Sequence, residues 1–122
     1  MGLDMFAYST QEKNINSDFS VKNEDVLDEF FYWRKHPNLH GWFEKLYMQK
    51  GGDQIFNCQY VRITINDVLE LESIIKNKSL PYTEGFCFGE SCEEFIKDDL
   101  IFISKAKEIL KNGKSVFYCS SW

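Results

Sequence analysis

Residues 26–50 read VLDEFFYWRKHPNLHGWFEKLYMQK, and the change of apolar pattern inside this stretch decides the fold. Val26, Leu27, Phe30, Phe31, Tyr32 and Trp33 form an apolar run that fits a helix or a buried strand equally well. Pro37 ends that run. It disfavours helical geometry at His36 and suits the first position of a new helix. Beyond it Leu39, Trp42, Phe43, Leu46 and Tyr47 recur at spacings of three and four, which predicts a helix over about 37–50, stopped at Gly51-Gly52.

Downstream, IFNCQYVRI at 55–63 reads as a short strand. Thr64 followed by Asp67 has the spacing of an N-cap, and Ile65, Val68, Leu69, Leu71, Ile74 and Ile75 continue as an amphipathic helix to about Asn77. Leu80-Pro81 breaks the pattern. Phe86-Cys87-Phe88, between Gly85 and Gly89, reads as a short buried strand. A third helix is expected over about 92–111, with Phe95, Ile96, Asp99–Ile103, Ala106, Ile109 and Leu110 on one side and Asn112-Gly113 as the stop. The final SVFYCSSW alternates as a strand, with 86–88 as its expected partner. Upstream, residues 9–25 are polar. The division expected is a polar acidic arm or loop over 1–25 and one compact domain over 26–122. The fold class expected is α+β: about three helices packed on a small, mostly antiparallel sheet.

A chain of 122 residues that is 43% hydrophobic and 16% aromatic supports one core and excludes a disordered tail. No apolar run approaches the ~18 residues of a membrane span, and the first residues lack the basic and apolar regions of a secretory signal. A cytoplasmic protein follows as the expectation, with its four cysteines, Cys58, Cys87, Cys92 and Cys119, as free thiols. The formal charge of −5 is unevenly spread. Residues 1–29 hold seven acids against two lysines, whereas 30–50 hold Arg34, Lys35, Lys45 and Lys50 against Glu44. Duplex nucleic acid calls for an extended basic face, which this chain lacks. One compact basic, aromatic segment suits a small anionic ligand instead.

That segment is Tyr32–Trp42. With a helix starting near Pro37, Arg34, Lys35 and His36 stand at its N-terminus, where free N–H groups and the helix dipole favour an anion. Arg34 adds a bidentate fork for phosphate, Trp33 or Trp42 a face for a base, and His40 a hydrogen bond. The competing structural reading places both tryptophans in the core and Arg34-Lys35 on a solvated edge. Two imidazoles with a lysine and an arginine also match metal-independent phosphodiester cleavage by general acid and base. His36, His40, Cys87 and Cys92 make a Cys₂His₂ set only on paper, so neither metal nor cofactor is expected. Ser120, Ser121 and Trp122 complete the candidate binding residues; Trp122 reads as an anchor closing the core, or as cover for an interface or pocket mouth.

YWRKHPNLHGW, Leu80-Pro81, the GFCFG block at Gly85–Gly89 and the terminal VFYCSSW, in that order, resemble a widespread set of small proteins from tailed bacteriophages. The resemblance covers about Tyr32 to Trp122. It departs at His36-Pro37, where many relatives look like Ala-Asn, which counts against a two-histidine mechanism. Such accessory proteins often act against host defences, so the resemblance implies a counter-defence role inside an infected bacterium. The function expected is a non-enzymatic sponge for a phosphate-bearing nucleotide immune signal. The alternative is a protein–protein inhibitor whose aromatic surface and acidic N-terminal arm dock onto a host defence enzyme, and a metal-independent RNase-like phosphodiesterase comes third. Tyr8, Phe19, Tyr47, Tyr60, Tyr82, Tyr118 and Trp122 fall at loops, element ends or the terminus. Their exposure would mark a homodimer or larger even-numbered oligomer, with Trp122 near the contact.

Overall fold

The computed structural model describes residues 2–11, 27–81, 83 and 94–122. Its elements run β1 (Asp4–Thr10), β2 (Asp28–Arg34), α1 (Pro37–Gln49), β3 (Val61–Ile63), α2 (Ile65–Lys76), α3 (Phe95–Lys111) and β4 (Ser115–Ser121). The strands form one antiparallel sheet in the order β2-β1-β4-β3. This is the α+β class read from the sequence, with three helices among the described residues.

The helices share one face of the sheet. Leu3, Met5, Ala7, Trp33, Val116 and Tyr118 join a single buried cluster with Leu39 and Phe43 of α1, Leu71 of α2 and Phe102 of α3. Phe43 stacks on Tyr118 with ring centroids 3.9 Å apart, and Phe102 meets Trp33 edge-on at 4.8 Å. Thr64 and Asp67 form a reciprocal capping box at the start of α2. The Asp67 carboxylate also holds Lys50 at 2.9 Å. Lys50 in turn donates to the Arg62 carbonyl at 2.6 Å, which helps blunt the three-residue edge strand β3. α3 ends at Gly113 (φ +80°), as Asn112-Gly113 predicts. α2 stops before Pro81, through Lys78 in the left-handed region at φ +54°.

Three expectations change. Residues 1–25 are not an arm throughout, because Asp4–Thr10 is a strand between β2 and β4 at the middle of the sheet. Leu3, Met5 and Ala7 face the helices, while the aromatic residues at 6 and 8 hide that alternation in the sequence. Within 55–63 only Val61–Ile63 is a strand. Cys58 adopts φ +60° there, and the Asn57 side chain stands in for a ladder partner, accepting from Trp122 N at 3.1 Å and donating to Trp122 O at 2.7 Å. Among the described residues β4 pairs with β1 and β3, and the expected strand 86–88 lies outside them. Tyr47 and Tyr118 are buried, so two of the aromatics expected to mark an oligomer belong to the core.

Candidate functional site

Successive residues of a strand point to opposite faces, and directly paired residues share a face. β2 therefore divides the YWRKH motif. Trp33 pairs with Met5, which pairs with Ser120, all towards the helices. Tyr32 pairs with Phe6 and Arg34 with Asp4, and these point the other way along with Cys119 and Ser121.

The inward half is a closed polar cluster. Trp33 Nε1 donates to Asp99 Oδ1 at 3.1 Å, and His36 Nε2 donates to Asp99 Oδ2 at 2.8 Å. The His36 ring stacks on Phe95 at 4.4 Å. Trp33, His36 and Asp99 are each 3% exposed or less. The anion expected near the start of α1 is thus supplied by the chain itself, from α3. His40 goes elsewhere: it is fully buried, its Nδ1 lies 2.7 Å from the Tyr118 hydroxyl, and its ring stacks on Phe56. Burial lowers its pKa to about 4, so the imidazole is neutral at pH 7. Burial also pushes the Tyr118 phenol well above its ordinary value. The two histidines serve different partners, and neither imidazole lies at the surface.

The outward half is accessible. An aromatic row crosses this face from Tyr32 to Phe6 (5.3 Å), Tyr8 (6.1 Å), Tyr60 (6.1 Å) and Phe117 (6.4 Å). Tyr32 is 47% exposed and Phe117 is fully buried, so the open end is the one that carries Arg34. There Asp4 Oδ1 accepts from the Tyr32 hydroxyl at 2.6 Å and lies 3.1 Å from Arg34 Nε. The hydrogen bond to Asp4 raises the Tyr32 phenol above its ordinary value. Gly2 (φ +147°) leaves room beside them. A Cβ there would stand 2.8 Å from Arg34 Nη2 and 3.5 Å from Lys35 Nζ, so the guanidinium and the ammonium converge on this glycine.

Of the residues singled out in the sequence, Arg34, Lys35 and Ser121 belong to this open end, while Trp33, His36, His40 and Ser120 lie in the core. Trp42, 7% exposed, lines a separate groove between α1 and α2. Trp122 anchors the 55–60 loop, its indole donating to the Phe56 carbonyl at 2.9 Å. Gly2, Asp4 and Phe6 were missed because β1 was read as part of an arm. Cys58 and Cys119 are free thiols, Cys87 and Cys92 lie outside the described residues, and no metal-binding cluster occurs among the described residues. No helix among them is long and apolar enough to cross a membrane. Comparison of the chain with family models, curated proteins and solved structures finds no match.

Proposed function

We propose that the protein is a non-enzymatic binder of a small phosphate-bearing nucleotide, captured at the Tyr32 end of the sheet face turned away from the described helices. The observation that carries this reading is the convergence of Arg34 and Lys35 on Gly2 beside an exposed aromatic ring. A phosphate is held by a forked guanidinium with a second cation, and a base stacks on an aromatic face of any sequence preference. Asp4 offers an acceptor for ribose hydroxyls. Two cations suit one small anion better than a nucleic-acid backbone. Neither histidine stands at this face, so the reading is capture without turnover. The resemblance of the motifs to tailed-phage accessory proteins supplies the context, a sponge that withdraws a nucleotide signal from host defence.

The test is calorimetry with a mononucleotide, a cyclic dinucleotide and ADP-ribose. Saturable heat is expected with at least one, weakened tenfold or more by Arg34→Ala and by Tyr32→Ala. No heat from any of them well above micromolar concentration overturns the proposal.

A further inference from the structure

A groove runs between α1 and α2. α2 buries Val68, Leu71 and Ile75, which leaves Glu70 and Ile74 facing across a groove towards Trp42, Lys45 and Leu46 of α1. Pro81 helps close one side. The space is about 230 Å³, smaller than the roughly 300–1,000 Å³ of pockets for drug-sized ligands. Its walls are apolar at Trp42, Leu46, Ile74 and Pro81. Its charges are one of each sign, Lys45 on α1 and Glu70 on α2. The two make no ion pair with each other, nor with any other described residue.

An apolar hollow flanked by one cation and one anion, carried on different helices, is complementary to a small molecule that bears both charges beside an apolar group. We propose that this groove binds a small zwitterion of the free amino-acid class. Lys45 pairs with its carboxylate, Glu70 with its ammonium, and Trp42, Leu46 and Ile74 receive its side chain. The site is independent of the nucleotide reading, which uses none of these residues.

The experiment titrates the intact protein with L-leucine, L-methionine and L-phenylalanine, following heat and the Trp42 contribution to fluorescence, taken as the difference from Trp42→Phe. Saturable binding is expected for at least one of the three. N-acetyl-L-leucine and L-leucinamide, each lacking one charge, should bind at least tenfold more weakly than L-leucine. Glu70→Gln and Lys45→Met should each cost tenfold or more, while Arg34→Ala leaves the affinity unchanged. Both substituted positions are on the surface, and matching circular dichroism melts show that the variants are folded. Absence of saturable binding, blocked analogues that bind as tightly as L-leucine, or affinity indifferent to Lys45 and Glu70 overturns the proposal.

Discussion

The same five-residue motif clasps a carboxylate on each side of the sheet. Inside, Trp33 and His36 hold Asp99; outside, Tyr32 and Arg34 hold Asp4. Each arrangement pairs an aromatic donor with a basic side chain, at distances between 2.6 and 3.1 Å. What separates them is water. The inner partners are almost wholly enclosed, while the Arg34 and Asp4 side chains are 48% and 36% exposed. Equal chemistry therefore has unequal consequences: the enclosed set ties β2 and α1 to α3, and the exposed set holds a cation in place at an accessible surface.

Removing the carboxylates one at a time gives the largest contrast. Asp99→Ala leaves the Trp33 and His36 donors enclosed without their acceptor, and a loss of about 2–6 kcal/mol is expected from urea unfolding, about 1–3 for each buried group left unsatisfied. Asp4→Ala should lose no more than about 1 kcal/mol, the range of exposed pairs. Equal losses would break the comparison.

Acid should next find the inner face. His40 titrates at about 4 in the folded protein and near 6.5 when unfolded, so the unfolded chain takes up the proton first. Its contribution to stability is complete above pH 6.5 and is lost as the pH falls through 4, a span worth about 3 kcal/mol. His40→Leu should remove that part of the slope between pH 7 and 4, measured by urea midpoints across the range. A slope unchanged in this variant would place the titrating group elsewhere.

Smaller changes sharpen the contrast. Thr64→Ala deletes the α2 cap and should destabilise by about 1 kcal/mol without touching ligand binding. Arg34→Ala should change stability by about 0.5 kcal/mol or less while weakening nucleotide capture.

Much of this was legible before the structure. Pro37, the Thr64–Asp67 spacing and Asn112-Gly113 mark helix limits because each acts on its own backbone. The 26–33 run stayed ambiguous because β2 carries large apolar side chains on both faces, which erases the two-residue period. β1 was lost for the same reason at Phe6 and Tyr8. Asp99 falls on the apolar side of α3, at a core spacing between Ile96 and Phe102, which marks its place but not its partners. Nothing local announces that its partners are 63 and 66 residues away. The alternation that separates Trp33 from Arg34 follows only once residues 28–34 are known to be a strand.

The most direct measurement is a chemical-shift map of the protein titrated with ADP-ribose and with a cyclic dinucleotide, each to millimolar concentration. The account predicts that the perturbed resonances gather at Gly2, Asp4, Phe6, Tyr32, Arg34, Lys35 and Ser121, with Trp33, His36 and Asp99 little changed. No perturbation by either compound, or perturbation confined to the Trp33–His36–Asp99 cluster or the Trp42 groove, would contradict it.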